Sequence, residues 1–201
     1  IAQARVGDTV VIPPGKYREQ VRLREGIAVR AQQPGAVTIT PPGLGPAVIA
    51  DKIASGSIEG VWVLGGGIRI SDSTIAVSNV YVTGAAIGIE IRGHSEPIVT
   101  ASQILNNQGP GISIVSGASP KLERNLIAAN GKSGVEVDGA SHPVLRDNAI
   151  VNNAAEPIRI GGPNYDPADY IENFFGGVPA KQAIHVDQVS DLPVLPARGT
   201  H

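Results

Sequence analysis

Charged side chains recur at fixed intervals in this chain, and they are the residues whose types and spacing could do chemistry. One series, at steps of 23 residues, consists of Glu90, Ser113, Glu136 and Arg159, and Arg69 joins it after a two-residue slip. A second series lies two residues further along and contains Arg92, Val115 and Asp138. We call the charged members of both series the charged face: Arg69, Glu90, Arg92, Glu136, Asp138 and Arg159.

Carboxylates on this face could act together on a sugar. Glu136 and Asp138 would lie about 6.5 Å apart along one strand, and Glu90 and Glu136 about 9.6 Å apart if each repeat adds one strand spacing. Two carboxyl groups near such separations can hold a water between them and cleave a glycosidic bond. The alternative is a surface without catalytic function, on which Arg69–Glu90 and Glu136–Arg159 form ion pairs between neighbouring repeats. The pattern therefore indicates a candidate ligand-binding face and assigns no catalytic residue.

A repeated unit of 23 residues must position these series. It runs without a gap through residues 88–156, and its copies begin at Gly88, Gly111 and Gly134, with Pro157 beginning a fourth. The first and third positions after each leading residue are apolar, as in Ile112 and Ile114, so these side chains point the same way in a strand. A fixed period of this length is typical of a solenoid.

Each copy contains about three short strands separated by turns, and no amphipathic helix is recognisable. If one copy forms one coil, equivalent residues stack about 4.8 Å apart. Isoleucines then fill the core, and asparagines hydrogen-bond along the stack. Two such ladders are predicted: Asn79, Ser102, Asn125 and Asn148, and Asn107, Asn130 and Asn153. The buried column of Ile104, Ile127 and Ile150 is predicted to extend back to Tyr81 and Trp62.

The flanking segments extend this architecture. GVWV (60–63) aligns with NVYV (79–82), and GDTVVI (7–12) is typical of a strand. We predict seven or eight coils over residues 1–178 and a proline-rich tail over residues 179–201. Because ENFFGG (172–177) repeats the asparagine position once more, Phe174 and Phe175 are predicted to plug the C-terminal end of the core.

These features resemble the right-handed parallel β-helix superfamily that includes the pectate lyases. The resemblance rests on the GI-x-I…P…N-x-I…N copies at 88–156 and on GDTVVIPPGKYREQVRL (7–23), which is similar to a first coil. It implies an all-β fold, a single-stranded right-handed parallel β-helix. The copies also resemble β-helix regions of bacterial multidomain proteins such as serine/threonine kinases, in which such a region would serve sensing or interaction.

Two motifs of polysaccharide-active β-helix proteins have partial counterparts here. DPAD (166–169) resembles the DPHD motif of alginate epimerases, but Ala168 replaces its histidine. SHPVLR (141–146) resembles the R-x-P-x-x-R motif of pectate lyases, but Ser141 replaces its first arginine and Arg146 falls at a variable outward position. Neither motif is therefore assigned a catalytic role.

No metal or cofactor is predicted. Calcium sites of this fold gather aspartates on adjacent coils, whereas Asp138 and Asp147 fall in different columns. The histidines do not stack, and GGG (65–67) lacks the Lys-Ser/Thr partner of a phosphate loop. An aromatic carbohydrate platform is not predicted either, because Trp62 and Tyr81 are assigned to the buried column.

Composition narrows the range of partners. The formal net charge is −2, so no basic field favours nucleic acid. No apolar run of about 18 residues predicts membrane insertion. Cysteine is absent, which excludes disulfides and thiolate metal sites. The 25 glycines and 16 prolines indicate many turns.

The sequence favours a non-catalytic β-helix scaffold that presents a face to a carbohydrate or protein ligand. We expect it to be a sensing or interaction module, fused to other domains in a larger bacterial protein. The alternative is an enzyme acting on an acidic polysaccharide, as a lyase, hydrolase or epimerase, through Glu90, Glu136 and Asp138. A self-assembling structural protein is a third class.

Overall fold

The chain forms a parallel β-solenoid in a computed structural model, which describes residue 1 and residues 3–162 and 170–187. Each coil adds one short strand to each of three sheets. In the regular part the pairing joins residues that are 23 apart, as in Ile89 with Ile112 and Ile112 with Val135. The predicted all-β parallel helix of about seven coils is confirmed.

The strands of each sheet follow one another in chain order. Sheet A contains β1 (Thr9–Ile12), β4 (Ala28–Ala31), β7 (Ser57–Glu59), β10 (Ala76–Ser78), β13 (Ile98–Thr100), β16 (Lys121–Glu123) and β19 (Val144–Arg146). Sheet B contains β2 (Gly15–Arg18), β5 (Val37–Thr40), β8 (Val61–Leu64), β11 (Tyr81–Thr83), β14 (Gln103–Leu105), β17 (Leu126–Ala128) and β20 (Ala149–Val151). Sheet C contains β3 (Val21–Arg22), β6 (Val48–Asp51), β9 (Ile68–Ser71), β12 (Ile89–Arg92), β15 (Ile112–Val115), β18 (Val135–Val137), β21 (Ile158–Gly161) and β22 (Ile184–Asp187).

Aliphatic side chains fill the narrow interior between the three sheets. On sheet C, Ile112 and Ile114 are fully buried, and their counterparts in the neighbouring coils are buried as well. The glycine that leads each of the three complete copies is required by this close packing. A Cβ on Gly111 would lie 2.7 Å from both Asn130 Nδ2 and the Gly134 carbonyl oxygen, which is closer than real Cβ atoms approach. The leading glycines therefore allow the next coil to approach.

Two ladders of buried asparagines join the coils at their turns. The Asn148 Oδ1 accepts hydrogen bonds from the Asn125 backbone N–H and side-chain amide, each at 3.0 Å. The Asn148 amide in turn donates to Asn173 Oδ1 at 2.8 Å and to the Leu122 carbonyl at 2.8 Å. The second ladder repeats this geometry at Asn107, Asn130 and Asn153. The first ladder is confirmed from Ser102 onward, and the second is confirmed at all three of its predicted positions.

Two predicted columns, the Ile104 column and the first asparagine ladder, are wrong by one residue before position 88. Strand β11 pairs Tyr81 with Gln103, so Val82, not Tyr81, stacks on Ile104. Trp62 and Tyr81 consequently point outward, and Trp62 is 44% exposed. Asn79 also leaves the predicted ladder, because Val80 takes that position and donates its N–H to Ser102 Oγ. Asn79 adopts the left-handed turn conformation instead, with φ of 51°.

The C-terminal end of the core is covered by residues 170–187. Asn173 continues the first ladder, and Phe175 is 5% exposed at the end of the interior, as predicted. Phe174 is 61% exposed, so its predicted place in the plug is wrong, and the buried Tyr170 contributes instead. Helix α1 (Ala180–Ala183) leads into β22, which pairs with β21. This strand lies in the segment that the sequence assigned to a tail, and the tail's residues 188–201 lie outside the described part.

None of the described residues forms a helix with the length and hydropathy needed to cross a membrane.

We predict that Asn148→Ala lowers the free energy of unfolding by about 3 kcal/mol, because the Asn125 N–H and Leu122 carbonyl lose their partner while remaining buried. Chemical denaturation monitored by circular dichroism measures this change. The matched control is Asn152→Ala, an exposed left-handed position where the preceding coil already carries Ala129 at φ 54°. Equal losses for the two variants would contradict a structural role for the ladder.

Candidate functional site

The charged face lies on the outer surface of sheet C, where consecutive strands stack its members. The pairing places Arg69 beside Glu90, Glu90 beside Ser113, and Glu136 beside Arg159. The two-residue slip assumed for Arg69 is therefore correct. Strand β22 extends the column with His185, which the sequence did not place there.

Arg69 and Glu90 form an ion pair at one end of this face. The Arg69 Nε lies 2.5 Å from Glu90 Oε2, and the Glu90 side chain is 20% exposed. Both residues border a depression of about 250 Å³ between the turns near Pro46 and Gln108. The predicted pairing between neighbouring coils is confirmed here, and it occupies the Glu90 carboxylate.

Arg159 binds Asp187 rather than Glu136 at the other end. Its Nε and Nη2 lie 3.2 and 3.3 Å from the Asp187 oxygens, and His185 Nε2 lies 3.2 Å from the same carboxylate. These hydrogen bonds and the Asp187 charge raise the pKa of Arg159 above its ordinary value, with smaller contributions from Glu156 and Glu136. The predicted Glu136–Arg159 ion pair is therefore wrong. Within the described part of the chain, Glu136 has no ion pair within 4.0 Å.

The Asp138 carboxylate stabilises the turn that follows its strand. It accepts hydrogen bonds from the Ser116 N–H at 2.6 Å, the Ser141 hydroxyl at 2.6 Å and the Ala140 N–H at 3.2 Å. These hydrogen bonds connect two neighbouring coils, so the Asp138 carboxylate has a structural role. Arg92, by contrast, is exposed on β12.

Half of the charged face surrounds one shallow depression. Its volume is about 190 Å³, and its lining residues are Ser113, Val115, Glu136, Val137, Asp138, Arg159, Gly161 and Asp187. Glu136, Asp138 and Arg159 lie near one another, as their spacing in the sequence predicted. It missed Asp187, because the segment containing that residue was assigned to a tail.

The described residues of the partial motif SHPVLR (141–146) do not line this depression. Arg146 faces outward on sheet A and lies 3.4 Å from Glu172, so its interpretation as a solvated charge at a variable position agrees with the structure. Ser141 is buried beside Asp138. DPAD (166–169) lies outside the described residues.

A second feature, on sheet B, was missed by the sequence analysis. The outward-facing Trp62 and Tyr81 have ring centroids 5.2 Å apart, with their planes tilted by 41°. They border a depression of about 280 Å³ whose other lining residues are Pro34, Gly35, Asn79, Val80, Ala101 and Gln103. The available signal was the GVWV/NVYV alignment, which places both aromatics at one repeat position. The error lay in continuing the 23-residue step back from Ile104 to Tyr81.

Comparison with known proteins identifies similar folds. A family model described as "right handed beta helix region" matches residues 47–167. The tailspike protein gp49 of Acinetobacter baumannii bacteriophage Fri1, a capsular polysaccharide depolymerase, superposes with a TM-score of 0.66 at 10% identity. That match covers 90% of this chain and 41% of the tailspike, so the chain spans about two fifths of that protein's length.

A weaker structural match is the A-module of the mannuronan C-5 epimerase AlgE4 from Azotobacter vinelandii. Its TM-score is 0.38 at 16% identity, over 89% of this chain and 90% of the module. No curated protein matches the sequence.

We predict that Arg69→Ala lowers the free energy of unfolding by about 1 kcal/mol, because it leaves the partly buried Glu90 carboxylate without its cation. Thermal unfolding of the variant, followed by circular dichroism, provides the measurement. Arg92→Ala is the matched control on the same sheet, with an expected change within about 0.5 kcal/mol. A loss for Arg92→Ala as large as for Arg69→Ala would show that the ion pair is not the cause.

Proposed function

Because the chain belongs to the right-handed β-helix family, we propose that it is a non-catalytic scaffold whose charged face binds a ligand, with polysaccharide as the ligand class. The observation that carries this proposal is the state of the carboxylates on sheet C. Most of them are already bound to other groups of the protein, which suits a rigid binding surface better than a pair of catalytic acids.

A two-carboxylate mechanism needs one group to donate a proton and another to activate water or attack the sugar. Glu90 is held by Arg69, and Asp187 is held between Arg159 and His185. Asp138 accepts hydrogen bonds from the Ser116 N–H and the Ser141 hydroxyl. Glu136 is left without a second available carboxylate beside it. This arrangement supports binding over cleavage.

The same face offers a hydroxyl-rich ligand both donors and acceptors. Glu136 supplies acceptor oxygens, Arg92 is exposed, and the Arg159 side chain is 51% exposed beside its Asp187 partner. These groups project from paired strands, which hold a binding site more rigidly than loops do. An extended polymer lying along the stack would meet one coil about every 4.8 Å.

The ligand class is proposed by analogy with the tailspike, which is a capsular polysaccharide depolymerase. At 10% identity that likeness concerns the fold, so carbohydrate binding by this chain is part of the proposal. The role of a sensing or interaction module within a larger bacterial protein is likewise proposed, from the resemblance of its repeats to β-helix regions of multidomain proteins.

The alternative function is a polysaccharide lyase, hydrolase or epimerase. One observation favours it: Glu136 has no ion pair among the described residues and lines the same depression as Arg159. A single carboxylate beside a guanidinium could remove a proton from an acidic sugar. This alternative makes Glu136 essential for turnover rather than for affinity.

We predict that the purified protein binds at least one of alginate, polygalacturonate and a bacterial capsular polysaccharide, and that it releases no reducing ends or unsaturated products. Glu136→Gln and Arg92→Ala should each weaken binding about tenfold, through loss of roughly 1.4 kcal/mol of contact energy. Isothermal titration calorimetry measures the affinity, and absorbance of unsaturated sugars measures any cleavage.

Lys121→Ala, an exposed change on sheet A, is the control and should leave binding unchanged. Turnover by the unmodified protein that disappears in Glu136→Gln would favour an enzyme over a non-catalytic scaffold. Polysaccharide binding that persists in both Glu136→Gln and Arg92→Ala would show that the charged face is not the binding site.

A further inference from the structure

The aromatic pair on sheet B has no part in the charged face on sheet C. Trp62 is the only tryptophan of the chain and is 44% exposed. Large aromatic side chains contribute most when they are desolvated, so an exposed one beside a depression indicates a surface that something else covers.

Cross-strand packing alone would explain a contact between two aromatic rings. Such pairs stabilise a sheet, and Trp62 and Tyr81 are direct neighbours on β8 and β11. Packing does not explain why the pair borders a recess of about 280 Å³ whose lining includes the side-chain amides of Asn79 and Gln103. That volume is close to the lower end of small-molecule sites.

Two side-chain amides flank the rings. Gln103 follows Tyr81 in the same outward column, and Asn79 lies in the turn before β11. Neither side chain has a hydrogen-bond partner among the described residues, and both are exposed. An amide offers both donors and acceptors, which is what the hydroxyl groups around a sugar ring require.

The turn that contains Gly35 leaves room at the edge of the Trp62 indole. Gly35 has φ of +78°, and a Cβ at this position would lie 3.5 Å from Trp62 Nε1. The indole N–H makes no hydrogen bond to any residue that the structure describes. It is a further donor at the rim of the recess.

We propose that this recess is a second carbohydrate site, in which Trp62 and Tyr81 stack against the C–H face of an uncharged sugar ring while Asn79 and Gln103 bind its hydroxyls. The C–H groups of a pyranose carry slight positive charge, which matches the negative face of an aromatic ring. None of the eight lining residues is charged, so the recess has no partner for a carboxylate or sulfate. The site is separate from the one proposed on sheet C and does not depend on it.

The test is titration of the full chain with neutral hexasaccharides of glucose, mannose, xylose and galactose, and with oligogalacturonate as the acidic comparison. Because Trp62 is the single tryptophan, its fluorescence reports occupancy of this recess directly. We expect a saturable change in emission with at least one neutral hexasaccharide and a weaker response to oligogalacturonate. Calorimetry supplies the affinity of variants that lack the indole.

Trp62→Ala should abolish binding measured by calorimetry, and Gln103→Ala should weaken it about tenfold. Phe174→Ala is the control, because Phe174 is exposed in the same outward column but lies outside the recess. Gln103→Ala tests the site even if Trp62→Ala disturbs folding, which circular dichroism would reveal.

Absence of a fluorescence change with every neutral hexasaccharide would overturn the site, and so would calorimetric binding that survives in folded Trp62→Ala. A preference for oligogalacturonate would overturn its assignment to uncharged sugars. Binding lost in Glu136→Gln but unchanged in Trp62→Ala would support only the sheet C proposal. The reverse result would support only this one.

Discussion

Parallel pairing of each coil with the next is the interaction on which the rest of this structure depends. A coil of three short strands encloses too little apolar surface to be stable alone, so its isoleucines are buried only when neighbours stack above and below. The asparagine ladders secure that stacking, because each buried amide satisfies backbone groups in adjacent coils, as Asn148 does for Asn125. Core, register and outer surface all follow from this pairing.

The same pairing determines how surface chemistry is arranged. Equivalent positions accumulate into columns, so charges from distant parts of the sequence become neighbours on sheet C. Proximity also lets them neutralise one another, as Arg69 does Glu90 and Arg159 does Asp187. A column rich in charge is therefore weak evidence for catalysis in a solenoid. On sheet B the outward column is uncharged around Trp62, and its aromatic and amide groups have no such partners among the residues that the structure describes.

The sequence predicted the regular coils well, because a gapless repeat makes every column explicit. Ile112, Asn125 and Glu136 all lie where their spacing placed them. Prediction failed at Tyr81, where the coil is one residue shorter than 23. Only the paired strands must match between neighbouring coils, so a turn can gain or lose residues. Asp187 was missed for a related reason. Its strand falls outside the gapless repeat, and only pairing with β21 brings it to Arg159.

The error at Tyr81 shows how sensitive a β-solenoid surface is to coil length. Side chains alternate between the two faces of a strand, so a shift of one residue exchanges core and surface. A step of 23 residues would place Tyr81 on Ile104, whereas the observed pairing with Gln103 places Val82 there. The interior then receives Val63 and Val82, which are completely buried, and Trp62 and Tyr81 face outward. The aromatic pair is on the surface because of the shorter coil, and the 23-residue step, applied without a change in coil length, gave the opposite answer.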